Sequence, residues 1–216
     1  MYLSKITLNF DHPGARRDLA NPYEMHRTLA RAFAPDHETA PARFLWRLER
    51  GASHIPSTVV LVQSAVRGNW SVLRGIPGYA TEILGNKSVD LDALIQPGEF
   101  YRFRLLANPT VMRAGRRYGL VREEDQLSWL ARQGARHGFL VHACMRSASE
   151  CLRIRQGESG NHVVLRAALF EGVLQARSAE LLRESLLKGL GHGKAFGLGM
   201  LSVAKVDRRH AELSST

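Results

Sequence analysis

Cysteine is nearly missing from this 216-residue chain: Cys144 and Cys151 are the only two, and they form no CxxC pair. Neither a disulfide framework nor a zinc finger is indicated. His137, His142, Cys144, Cys151 and His162 come nearest to a metal cluster, but their spacings match no familiar site, so no metal and no cofactor is expected. Long apolar runs are absent as well. No stretch of about 20 apolar residues occurs, and the opening MYLSKITLNF has neither a basic start nor a continuous apolar segment. The expectation is a soluble, cytoplasmic chain with no membrane partner. A Walker phosphate loop is missing too: three residues instead of four separate Gly189 from the Gly193-Lys194 pair, Ala195 stands in place of Ser or Thr, and a strand pattern follows.

Acidic side chains are the minority charge, 20 against 30 basic ones, for a net charge of +10. Of those 30 basic residues 25 are arginine, whose planar fork fits phosphate oxygens and stacks on flat groups. This leans toward a polyanionic partner such as nucleic acid, with a merely basic, solvated surface as the alternative. A hydrophobic content of 44% is enough for a real core, in one large or two small domains.

Residues 2–9 alternate as a strand. A helix follows from NPYEMHR to about Ala34, then strands at RFLWRLER and STVVLVQSAV, an irregular stretch containing WSVL, and a strand at EFYRFRLLANP. In that last strand Tyr101, Phe103 and Leu105 share one face, and Arg102 and Arg104 the other. Beyond Asn108-Pro109 the pattern predicts a basic connection with a short strand at 117–121, a helix over REEDQLSWLARQGARH, and strands at GFLVHACM and ECLRIRQ. After a GESGN turn come a long strand or strand pair, HVVLRAALFEGVLQA, a helix capped by Ser178, and a last strand, LGMLSVAKV. Both halves thus carry the order β-α-β-β-α-β. The fold class is α+β, two tandem ferredoxin-like domains of the kind RNA-recognition modules use, at residues 1–108 and 109–206, with 207–216 as a flexible tail.

NPYEMHR is a well-specified helix start: Asn21 can cap, Pro22 suits the first helical position, and Glu24 stands where a capping-box partner belongs. At about 100° per residue, Met25, Leu29, Ala32 and Phe33 form the buried stripe. Tyr23 and His26 lie beside it, about 60° apart. They either pack their rings at the helix boundary or present them to a ligand. The partial positive charge of a helix start favours an anion such as phosphate, and a histidine there can act as general acid or base.

In GLGHGKAFGLGMLSV the glycines Gly191, Gly193, Gly197 and Gly199 permit close backbone approach, with Lys194 as a cation and Phe196 as a base stacker. The other reading is a turn that only docks a helix on a strand. Arg113, Arg116 and Arg117 cluster with Tyr118, and Arg153 and Arg155 share a strand face. Each group alone is compatible with a solvated surface; together they suit the backbone of a structured RNA.

These pieces resemble the CasE family of CRISPR repeat-RNA endoribonucleases. The resemblance rests on M-x-L-x-K-I-x-L at the start, ARRDLANPYEMHRTL at 15–29, FRLLANPT at 103–110, LFEGVL at 169–174 and GHGKAFGLGMLSV at 191–203. It implies a metal-independent enzyme that binds a CRISPR repeat stem-loop and cuts at the 3′ base of the stem. The 2′-hydroxyl attacks, leaving a 2′,3′-cyclic phosphate and a 5′-hydroxyl. It also implies retention of the mature guide RNA and a place among the other subunits of the Cascade assembly. The family's catalytic histidine falls on His26 and its tyrosine on Tyr23. Arg31 stands where some relatives carry lysine, as a stabiliser of phosphorane charge and a poor proton donor. Arg27, Arg102, Arg104, Arg113, Arg116, Arg117, Arg153, Arg155, Lys194 and Phe196 are the expected RNA contacts. The competing class is a non-catalytic subunit that only caps the guide-RNA stem-loop.

Overall fold

The alternation in residues 2–8 becomes strand β1 (Tyr2–Leu8), which turns Ser4, Ile6 and Leu8 inward. The computed structural model describes residues 1–34, 36, 38–49, 58–156 and 161–206. After β1 come helices α1 (Pro13–Ala20) and α2 (Pro22–Ala30), strands β2 (Phe44–Leu48) and β3 (Val59–Ser64), a short helix α3 (Ser71–Arg74) and strand β4 (Ala80–Ser88). Helix α4 (Leu91–Leu94) leads to β5 (Phe100–Ala107) and to a hairpin of β6 (Thr110–Arg113) and β7 (Arg116–Gly119). Then follow α5 (Glu123–Arg136), the long strands β8 (Phe139–Gln156) and β9 (Asn161–Ala176), α6 (Ala179–Lys188), a 3-10 turn at Lys194–Phe196, and β10 (Leu201–Lys205).

The strands make two four-stranded antiparallel sheets, ordered β2-β3-β1-β4 and β10-β5-β9-β8. Counted within each sheet by chain order, both are 4-1-3-2. Each has its own apolar core: Ile6, Met25, Leu29, Val60 and Val62 under the first, Tyr101, Leu105, Phe170, Leu130 and Leu186 under the second. Among the described residues no helix is long and apolar enough to cross a membrane.

Several elements differ from the sequence expectation. Residues 100–107, expected as the last strand of the first domain, pair with β9 and β10 and open the second sheet. Their alternation marks a strand correctly, but both partners lie far ahead in the chain and leave no local trace. The fourth strand of the first sheet is β4, from the stretch expected to be irregular. Its inward residues do not alternate, its pairing with β1 shifts register twice, and Asn86 takes a φ of 59°; bulges of this kind erase the period-2 signal. The same cause hides the continuity of β8, expected as two pieces: bulges interrupt its register between Val141 and Ala143 and between Arg146 and Ala148. The basic connection is a hairpin, β6–β7, whose two-residue turn puts Ala114 and Gly115 at φ 46° and 74°. Helix α1 was not expected, because its cap is the imidazole of His12, which accepts from the Gly14 and Ala15 amides. The GESGN turn, except Asn161, and the tail 207–216 lie outside the described residues.

β8 and β9 stay paired well beyond the end of β5: the β5 partners run from Gln175 to Ala168, whereas the β8 pairing continues to Asn161. Two strands therefore leave the second sheet as an arm. Its end reaches the first half, where the Asn21 side-chain amide donates to the Arg155 carbonyl at 3.1 Å.

Candidate active site

Helices α1 and α2 meet at Asn21, which closes one and opens the other. Its N–H donates to the Arg17 carbonyl at 3.1 Å, and its side-chain oxygen accepts from the Tyr23 amide at 3.0 Å. The first donation already occupies the N–H that a capping box would give to Glu24. The Glu24 carboxylate instead faces Arg27 at 3.3 Å and Arg17 at 3.9 Å. Asp18, buried in α1, accepts from the Tyr79 hydroxyl at 2.7 Å and from the Arg17 guanidinium. Burial first, then the bond to Asp18, holds the Tyr79 phenol protonated, with its pKa far above the ordinary value. The position of the helix start is thus set by a buried polar pair behind it.

Met25, Leu29, Ala32 and Phe33 are buried, as the helical periodicity predicts. Tyr23 and His26 sit half-buried beside them, and the Arg27 guanidinium lies 5.9 Å from the Tyr23 ring centre. The His26 ring stacks on Phe44 of β2 at 4.9 Å and 17°, and Phe44 stacks on Phe33 at 4.6 Å. Its Nδ1 is buried with no hydrogen-bond partner. Burial disfavours the imidazolium and lowers the pKa from the ordinary histidine value.

The glycine-rich loop arrives from the second half of the chain at the same place. The 3-10 turn bearing Lys194 is flanked by Gly193 and Gly197 at φ 89° and 77°. A Cβ on Gly197 would stand 2.9 Å from the Trp46 ring, so that glycine is required twice, for its backbone and for its contact with β2. Leu165 of the arm approaches Gly193 on the other side. The Lys194 ammonium donates to the Gly191 carbonyl at 2.5 Å, and burial, then the charge of Arg43, lower its pKa. His26, Pro41, Arg43, Phe44, Lys194 and Ala195 line a single hollow of about 310 Å³. A larger apolar cleft of about 320 Å³, with Leu3, Leu61, Leu84 and Met200 in its walls, shares none of these residues.

The remaining expected site residues lie in several places. Arg27 and Arg31 line a neighbouring hollow with Asp36 and Thr39, and Arg31 closes the C-terminal end of α2. Arg113, Arg116 and Arg117 are exposed on the β6–β7 hairpin, and Arg117 adds to the burial that lowers the pKa of His192. Arg153 and Arg155 point outward from the arm that meets Asn21, and Phe196 is half-buried in the loop. Gly191 approaches the Trp129 ring, and the Gly199 amide donates to the Leu106 carbonyl at 2.6 Å. Arg102 and Arg104 stand apart, on the outward face of β5. Arg104 is held by Glu49 at 2.6 Å and Glu171 at 2.7 Å.

That pairing belongs to a clasp absent from the sequence expectation. Arg47, 3% exposed, pairs with Glu49 at 2.6 Å and donates across the halves to the carbonyls of Arg104 and Met200. The single charged residue inside the otherwise apolar run FLWRL, Arg47, was the available sign. Arg43, just before that run, and Phe44, its first residue, shape the hollow and carried no sign beyond that position.

Residues 1–205 match the family model described as CRISPR associated protein. The chain is 40% identical to the CRISPR-associated endoribonuclease Cse3 of Thermus thermophilus, over 94% of this chain and 100% of the relative. It is 27% identical to the CRISPR system Cascade subunit CasE of Escherichia coli, over 94% and 99% of the two chains. The fold superposes with a TM-score of 0.84 on Thermus thermophilus Cse3 bound to an RNA representing a pre-cleavage complex, at 38% identity, over 94% of this chain and 98% of that one.

Proposed function

This chain belongs to the Cse3 and CasE family of CRISPR-associated endoribonucleases, and on that premise we propose that it cuts CRISPR repeat stem-loops at the 3′ base of the stem without a metal. The observation that carries this reading is the meeting of His26, from the first half, with Lys194, from the second, in one hollow beside a helix start. The 2′-oxygen attacks the adjacent phosphorus, the bond from phosphorus to the 5′-oxygen breaks, and the products end in a 2′,3′-cyclic phosphate and a 5′-hydroxyl. One proton leaves the 2′-hydroxyl and one reaches the departing oxygen. His26 exchanges one of these through Nε2, its Nδ1 being buried. Tyr23, one helical turn away, orients the phosphate or the attacking hydroxyl, and Lys194 offsets the growing charge.

Two ferredoxin-like domains frame this chemistry, a reading supported by the shared 4-1-3-2 strand order. Their boundary falls near residues 89–91 instead of 108, since Leu91, Leu94 and Ile95 pack with the second core. The basic hairpin and the arm grip the RNA stem, and Arg31 lies beside the RNA path. The enzyme joins Cascade, as the name of its Escherichia coli relative suggests; it also keeps the guide RNA after cutting and works in the cytoplasm. Full cutting in excess chelator, together with binding but no cutting of a stem-loop carrying 2′-deoxyribose at the scission site, is the expected result. Loss of cutting on metal removal, or cleavage of the deoxy substrate, defeats the mechanism; a stem-loop that is bound and never cut leaves a capping subunit.

A further inference from the structure

We propose that Arg43 is a further catalytic residue, which with Lys194 clamps the non-bridging oxygens of the scissile phosphate from the two halves of the molecule. This rests on the reading that the hollow beside His26 receives that phosphate.

Arg43 is presented by a backbone fixed on both sides. The Ala42 amide donates to the Phe33 carbonyl at 2.9 Å, tying the approach to β2 onto the end of the catalytic helix. Phe44 then begins the strand, in register with Ser64, with its ring against His26. The backbone at Arg43 is thereby held beside the histidine, and the exposed side chain lines the same hollow. Lys194 is fixed independently, through its bond to the Gly191 carbonyl and the packing of Gly197 on Trp46.

The charge of the hollow is unbalanced. Its walls carry Arg43, Lys194 and His26 and no carboxylate. Among the described residues neither Arg43 nor Lys194 has an acidic partner, whereas Arg47 and Arg104, also at the junction of the halves, have two between them. Arg43 also lowers the proton affinity of Lys194, an unfavourable interaction in the empty protein. An anion between the two cations relieves it, and the relief increases with the negative charge between them. In the attack, the 2′-oxygen to phosphorus bond forms while the bond to the 5′-oxygen breaks, and charge accumulates on the non-bridging oxygens. Two cations lining one hollow favour that state over the ground-state diester. A planar fork suits the two oxygens better than a point charge does.

The test compares wild type, Arg43→Ala and Arg43→Lys on the repeat stem-loop of the protein's own genome, under single-turnover conditions with enzyme in excess. Affinity is measured in parallel with the uncleavable 2′-deoxy stem-loop. Arg43→Ala is expected to cut about 10²-fold or more slowly while binding the deoxy RNA within about threefold of wild type, and Arg43→Lys to recover part of the rate. Cutting by Arg43→Ala within about threefold of wild type at saturation overturns the proposal, as does a rate loss matched by an equal loss of affinity. His26→Ala separates the two failures. If it is inactive while Arg43→Ala is normal, only the clamp falls; if it cuts normally, the assignment of the hollow itself falls.

Discussion

Two groups of cations lie where the halves of the molecule meet, and they are built in opposite ways. Arg47 and Arg104 are matched by Glu49 and Glu171 and by backbone carbonyls, so every charge there has a partner. Arg43 and Lys194, beside His26, have no acidic partner among the described residues. The first group is complete in the protein alone and joins β2 to β5 and β9. The second is complete only with an anion in place. The two groups meet β2 at its two ends, Arg43 just before the strand and Arg47 near its close.

The sharpest way to break this contrast is to remove His26. In the unmatched hollow, His26→Ala should lower single-turnover cutting by about 10²- to 10⁴-fold with little loss of stability, since its Nδ1 makes no hydrogen bond. Burial depresses the folded-state pKa of His26 below its unfolded value. Below the ordinary histidine pKa of about 6.5 the unfolded chain therefore binds the proton more readily, and stability falls as pH drops through that window. Urea titrations at pH 5 and pH 8 (about 1.5 units either side of that value) should show a smaller difference in His26→Gln than in wild type. An equal difference would mean that the imidazole titrates as if exposed.

The matched group should respond in the reverse sense. Glu49→Ala leaves the Arg47 guanidinium buried without its carboxylate, a change that costs about 3–5 kcal/mol for a fully buried pair. The two carbonyl partners of Arg47 remain, which places the expected loss near the lower end, about 3 kcal/mol, by chemical denaturation. At a temperature where the variant is folded, cutting should stay within about tenfold of wild type, a loss of about 1.4 kcal/mol in the transition state. A stable variant that cannot cut would transfer the clasp to the catalytic machinery.

How much of this was legible in the sequence follows from the range of the interactions. The Asn21 cap and the buried stripe of Met25, Leu29, Ala32 and Phe33 depend on spacing within one short segment, and both were readable in residues 21–33. The glycines at 193 and 197 were readable as close-approach positions, but their partners, Leu165 and Trp46, were not. Strand β4 and the continuity of β8 were hidden by bulges, which remove the alternation that identifies a strand. Arg104 shows the limit most clearly. Its alternation with Phe103 and Leu105 placed it outward correctly, yet outward was taken as available to RNA, and its neutralisation depends on Glu49, just past the end of β2 and 55 residues earlier.

That limit supplies the smallest and most discriminating measurement. Removing a cation that touches a phosphate lowers the slope of log affinity against log salt by about 0.7 to 0.9. Arg116→Ala, on the exposed hairpin, should lower it by that amount for the uncleavable stem-loop. Arg104→Ala should leave the slope nearly unchanged, because the charge it removes is already matched by two carboxylates; what RNA meets there is Glu49, Arg104 and Glu171 together. If Arg104→Ala lowers the slope as much as Arg116→Ala does, the ion pairs open when RNA binds. The distinction between matched and unmatched cations then holds only for the free protein. If neither variant changes the slope, the grip on the stem lies with the arm, where Arg153→Ala and Arg155→Ala should carry the missing salt dependence.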